Sequence, residues 1–278
     1  MRIRKKSKKG NNLIMVFVFC IAVSFLIVAS LTVKFFFLLK ASLFDGQHRF
    51  SIFVTDTQGT SEVISFAPDT QTISMLILPT ERTSTKKNIE RFLGIPIDGF
   101  MHVPKQYELK AENDVVLFAR SAVFEYKTLL TNLTIIDTIR LWFFAKSIPT
   151  YSIVVRTLNT SLDNVSIADQ LTVDKRMLTL FGDESFAKEK VSIQIVNGTG
   201  IVGLGNRLAR MITNMGGNVV AVSTAGDILQ NSQIAYYGKE TYTVKKLNKI
   251  LPARLNIMQK PEISDIIVTI GRDLADQF

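Results

Sequence analysis

Three sets of residues have the types and spacing to do chemistry. Gly198, Gly200 and Gly203 stand in G-x-G-x-x-G order. At a strand-to-helix turn that spacing brings backbone amides against a dinucleotide pyrophosphate. Glu81, Arg82 and Arg120 combine a carboxylate with two guanidiniums, the groups that hold a phosphate and its Mg²⁺. His48 and His102 are the two imidazoles, and the one thiol, Cys20, lies in an apolar run far from both. A zinc site needs more nitrogen and sulfur ligands than these provide. No Ser-His-Asp or Cys-His arrangement is legible, so nucleophilic catalysis has no visible carrier.

The glycines depend on the elements around them. A β-branched run (Val191, Ile193, Ile195, Val196) reaches Asn197-Gly198-Thr199-Gly200, and a helical spacing (Val202, Leu204, Leu208, Met211) follows. A dinucleotide fold needs several βαβ repeats and an acid at the end of the next strand. Here the next strand, 218–222, ends in Ser223-Thr224, with Asp227 beyond it. The glycines therefore read as backbone devices. Gly198 and Gly200 would allow the turn, while Gly203 and Gly205 would let the helix pack closely. Asn197, Gly198, Thr199 and Gly200, with the free amides of a helix start, remain candidate binding residues for an anionic or sugar-like group.

The amino terminus sets the compartment. Arg2, Arg4, Lys5, Lys6, Lys8 and Lys9 precede an uncharged run from Leu13 to Val33. Such a run makes about 30 Å of helix, enough to cross a bilayer. Lys34 can snorkel, and Phe35-Phe36-Phe37 suit the interface. The basic tail belongs in the cytoplasm and the rest outside. The run is longer than the apolar core of a cleaved leader, so an uncleaved signal-anchor is expected. The net charge of +9 comes from 33 bases and 24 acids. Eight bases and no acids precede residue 41, leaving 25 bases against 24 acids beyond it. The excess is a topology signal; no nucleic-acid partner is expected.

These patterns divide the chain into a tail (1–12), an anchor (13–39), a linker (40–49), a first domain (50–182), a linker (183–190) and a second domain (191–278). The first domain reads as strands at 49–54, 63–66, 73–78, 100–103 and 151–156, with helices at 86–93, 113–119, 134–146 and 167–180. The second reads β-α-β-β-α-β-β, with strands opening at 191, then at 218–222, 233–237, 254–258 and 265–270, and its later helix at 241–251. The expected class is α/β: a transmembrane helix followed by two small α/β domains.

Two resemblances overlie this reading. Ile195-Val196-Asn197-Gly198-Thr199-Gly200, Gly203-Leu204, Leu208-Ala209, Ile234-Ala235-Tyr236-Tyr237, Ser264-Asp265-Ile266-Ile267-Val268 and Ile270-Gly271-Arg272-Asp273-Leu274 resemble, in order, the LytR C-terminal domain of bacterial envelope proteins. Ser61–Ile64 through Ile77–Pro79, Phe92–Phe100, and Thr131–Thr134 resemble the LytR–CpsA–Psr domain. That family joins lipid-linked glycopolymers to peptidoglycan by phosphotransfer. Here its Pro-Arg-Asp-Thr is replaced by Pro79-Thr80-Glu81-Arg82-Thr83, its early aspartate by Glu62, and its second central arginine by Ala122. The resemblance thus implies a shortened, degenerate domain. The expected protein is a membrane-anchored, extracytoplasmic envelope protein without a cofactor. It would bind peptidoglycan, a wall glycopolymer or another envelope protein. The alternative is a divergent ligase using Mg²⁺ with Glu81, Arg82 and Arg120.

Overall fold

The computed structural model describes residues 9–79, 85–104, 111–158, 167–260 and 263–277. Helix α1, Lys9–Ala41, contains the apolar stretch Ile14–Ala41, with mean hydropathy 2.9 over its most apolar window. Its 28 residues span about 42 Å at the helical rise, which is long enough to cross a membrane. The Thr32 hydroxyl donates to the Val28 carbonyl within the helix, leaving no demand on a partner.

Leu43–Phe278 form a second, compact unit that holds two sheets. Its first lobe contains β1 (Phe50–Asp56), β2 (Ser61–Ala67), β3 (Thr72–Leu78), α2 (Lys86–Leu93), β4 (Gly99–Val103), α3 (Glu112–Phe124), β5 (Leu130–Thr131), α4 (Ile135–Ser147), β6 (Ile153–Thr157) and α5 (Ile167–Phe181). Its second lobe contains α6 (Glu184–Lys188), β7 (Ser192–Asn197), α7 (Leu204–Asn214), β8 (Asn218–Thr224), β9 (Gln233–Tyr237), α8 (Tyr242–Ile250), β10 (Arg254–Met258) and β11 (Ile266–Ile270).

The first sheet has the order β5-β4-β1-β2-β3-β6 and is covered on both faces. Ile52, Val54, Ile64 and Phe66 pack under α3 and α4, with Val115, Phe118 and Leu141. Phe53, Val63 and Leu76 face the other way, against Ile89 and Leu93 of α2 and Met177 of α5. Double cover explains why all seven residues of β2 are buried, Glu62 among them. Each large apolar side chain buried in this way contributes about 1.5–3 kcal/mol. Local signals place the helices. The Thr85 hydroxyl accepts from the Asn88 N–H to start α2, and Gly94, at φ +61°, ends it. Thr134 and Asp137 form a capping box for α4.

The second sheet, β10-β9-β11-β7-β8, pairs β7 in parallel with both β8 and β11. Helices α7 and α8 cover one face through Leu204, Leu208, Val244 and Leu247. The element order is the one the sequence pattern gives.

Both expected linkers carry structure. Phe44 is buried in the core beneath α4, and its N–H donates to Asp137 Oδ1 at 2.9 Å. The His48 ring stacks on Tyr242, with centroids 4.1 Å apart. Within 183–190, buried Asp183 caps α6 and Phe186 enters the core of the second lobe. Polar sequence around a single aromatic hides such docking from a composition reading.

Charged side chains join the lobes. Arg210 of α7 forks onto Asp174 of α5 and donates to the carbonyls of Arg91 and Phe92 at the end of α2. Lys246 of α8 lies 3.8 Å from Asp98, with both side chains nearly buried. Burial pushes the Asp98 carboxyl up, but the Lys246 and Lys249 ammoniums and the Ser51 N–H outweigh it and hold it below its ordinary value.

Candidate functional site

The Asn197–Gly200 turn leaves the end of β7 and is tied on every side. Asn197 Oδ1 accepts from the Thr199 N–H at 3.1 Å and its hydroxyl at 2.7 Å. Asn197 Nδ2 donates to the Ile201 carbonyl, and the Ile201 N–H donates to Thr199 Oγ1. The Gly198 N–H reaches the Ile270 carbonyl, and the Leu229 N–H reaches the Gly198 carbonyl. Asn197 and Thr199 are buried, and their polar groups serve the turn.

The glycines divide their roles differently from the sequence expectation. A Cβ on Gly198 would stand 2.8 Å from the Leu229 side chain, so this position needs space. Gly203, at φ +80° with no neighbour within 4 Å, needs left-handed backbone. Gly200 does hold positive φ, and Gly205 is close-packed against Val222 and Asn197. The distinction between tight space and positive φ depends on tertiary neighbours, which G-x-G spacing does not encode.

Apolar residues ring this polar knot. Val202 is 93% exposed, and Ile201, Val222 and Ile228 are each between 43% and 51% exposed. A Cβ on Gly200 would touch Ile228, and one on Gly205 would touch Val222, so the rim is continuous with the turn. Strand β8 is the open edge of its sheet and carries Val222. The hydrophobic spacing around the motif was visible in sequence; the exposure of these residues was not.

The phosphate-handling candidates are described only in part. Glu81 and Arg82 lie outside the described residues. Arg120 is exposed on α3, with its guanidinium 5.7 Å from the centre of the Phe124 ring. Two other carboxyls occupy strand ends of the first sheet. Glu62 is opposite Val54 across the β1–β2 ladder, so Asp56 is its diagonal neighbour on the same face. Asp56 Oδ1 accepts from the Gln58 and Thr60 amides, whereas its buried Oδ2 has no protein partner. Burial, with the charge of Asp56 adding to it, pushes the Glu62 carboxyl up to about 8. Sequence spacing marks Asp56 as a turn former before Gly59 but gives no sign of its buried oxygen. Two neighbouring carboxyls are oxygen donors of the type a hard divalent cation takes. Among the described residues, no group of three or more His, Cys, Asp or Glu side chains gathers. His102 Nδ1 meets the Thr55 hydroxyl at 3.0 Å, and His48 Nδ1 is 2.6 Å from Asp45 Oδ2.

A groove of about 540 Å³ lies between the lobes, lined by Lys86, Lys87, Glu90, Asp98, Asn132 and Lys249 among others. Its ammoniums are partnered in place. Lys86 pairs with Glu90, Lys249 with Asp98, and Lys87 donates to the Asp276 carbonyl. The groove is a charge-balanced seam.

Residues 190–274 match the family model described as LytR cell envelope-related transcriptional attenuator, over less than half of the chain. No curated protein matches the chain. Among solved structures, the transcriptional regulator yvhJ from Bacillus subtilis aligns with 48% of this chain and 97% of its own, at 15% identity and TM-score 0.34. B. subtilis TagV aligns with 48% and 96%, at 13% identity and TM-score 0.32. Lin1025 from Listeria innocua aligns with 48% and 99%, at 8% identity and TM-score 0.34.

Proposed function

We propose that this chain is a single-pass envelope protein, anchored by α1 with its amino terminus in the cytoplasm. Its exported lobes serve as a non-catalytic docking module. The envelope assignment rests on the family match over 190–274 and on a helix long and apolar enough to anchor. One observation carries the docking role: the apolar rim of Ile201, Val202, Val222 and Ile228 around a turn whose polar groups are already engaged. Exposed apolar residues beside an open sheet edge favour a protein surface as partner. In this reading Asn197, Gly198, Thr199 and Gly200 shape the turn that presents the rim. Peptidoglycan or a wall glycopolymer is the competing ligand.

The test is retention of the detergent-solubilised full chain on immobilised peptidoglycan, on purified glycopolymer and on solubilised envelope proteins, beside the variant Val202→Asp. Retention by an envelope protein that the variant loses supports protein docking. Retention by the polymers alone moves the reading to wall binding, and no retention at high concentration removes both.

A second reading is favoured by the unpartnered Asp56 Oδ2 beside Glu62: a Mg²⁺-dependent phosphotransferase on lipid-linked glycopolymer. Transfer to peptidoglycan that Asp56→Asn abolishes would replace the docking reading. Absence of transfer with Mg²⁺ present would retire this one.

A further inference from the structure

The outer surface of α3 and α4 carries an apolar ridge that the docking role does not use. Leu117 and Phe124 are 58% and 70% exposed, and their spacing of seven puts them on one face of α3. Phe143 of α4 is 59% exposed. Half-buried Trp142 joins the two helices, with its ring centroid 6.0 Å from Phe124 and 5.2 Å from Phe143. Arg120 lies against Phe124, and exposed Lys127 and Lys146 flank the ridge, with half-buried Glu125 as the neighbouring acid.

We propose that this face rests on the outer leaflet of the membrane that anchors the chain, an inference that depends on the anchor reading above. Two observations select a bilayer as the occupant. The first is composition: aromatic rings and a tryptophan edged by bases suit the headgroup region and its anionic lipids. The second is the length of the tether. Helix α4 holds Phe44, through Asp137 on its N–H and Arg140 on its carbonyl, and Phe44 follows Ala41 by three residues. Three residues extend at most about 10 Å. A chain anchored by α1 therefore keeps this helix within reach of the lipid surface. Aromatics buried at that surface gain the same hydrophobic free energy as in a core, without folding around a partner.

Trp142 is the single tryptophan of the sequence, so the ridge contains its own reporter. The full chain is reconstituted into vesicles containing anionic lipid. Flotation reports the anchor, and Trp142 fluorescence reports the face. The expected result is a blue-shifted emission, largely quenched by lipids brominated near the headgroup and protected from iodide in the water. Phe124→Ser with Phe143→Ser should restore iodide access and remove most of the lipid quenching while flotation is unchanged. Leu178→Ser, at an exposed position of α5 across the sheet, should change neither signal. A chain that floats while Trp142 stays open to iodide and blind to the brominated lipids overturns the proposal and leaves the anchor standing. A chain that does not float overturns both. A blue shift that depends on protein concentration and not on lipid would assign the ridge to a second copy and overturn the proposal.

Discussion

Glu62→Gln keeps the side chain's size and removes its ionisation, so it isolates one buried acid. Burial and the charge of Asp56 raise this carboxyl from 4.5 to about 8 in the folded chain. In the unfolded chain it ionises at its ordinary value. Between those two pH values the folded state binds one more proton than the unfolded state, so stability falls as pH rises through the window. The gap of 3.5 (8 minus 4.5) at about 1.36 kcal/mol per unit sets a ceiling of about 5 kcal/mol. For a unit of this size that is about 10–20 °C in melting temperature. Urea melts of the full chain in detergent, run from pH 5 to pH 8, should show the wild type losing stability and the glutamine variant holding it. The two should nearly agree at pH 5 and differ most at pH 8. Equal slopes for both proteins would refute the burial argument. Added Mg²⁺ provides a second control. A cation on Asp56 and Glu62 favours the ionised form, so it should stabilise the wild type at pH 8 and not the variant. That response would strengthen the phosphotransferase reading.

Asp98→Asn leaves the Lys246 ammonium buried without its counter-charge and should cost about 3–5 kcal/mol in denaturant melts, whereas Asp98→Leu with Lys246→Met should recover most of it. Asp98 is held below its ordinary value, so its contribution is present above the unfolded carboxyl range and disappears as pH falls through the lowered folded value. Gly203→Ala should cost about 1–2 kcal/mol through backbone conformation alone. Gly198→Ala should cost about 1–3 kcal/mol through overpacking against Leu229, and Leu229→Ala should relieve part of that second loss only. Lys239→Cys, in a chain whose Cys20 is replaced by Ala, should react with an impermeant maleimide in intact cells; protection until lysis would reverse the proposed topology.

The elements were legible where a local signal marks them. Thr85 and Gly94 bracket α2, and the reading of 86–93 coincides with its observed span. The end of α3 carries no such mark: Glu125, not a glycine, follows it, and the helix runs to Phe124, beyond the expected end at Ala119. Strand β5 has two residues and exists through its pairing with β4, which no periodicity shows. The candidate site was legible as a motif and not as a surface. The sequence contains Asn197 and Thr199, but only the fold shows that they bond each other and turn Val202 outward. Glu62 sits beside Val63, Ile64 and Phe66 in β2, and that context alone cannot say that both faces of the sheet are covered.

Photo-crosslinking in living cells tests the docking claim most directly. A benzophenone amino acid is placed at Val202, with a control at exposed Lys188. A docking rim gives a discrete adduct to one envelope protein at Val202, absent at Lys188 and reduced when Val222→Lys is added. Adducts that are absent, or equal at both positions, would contradict it.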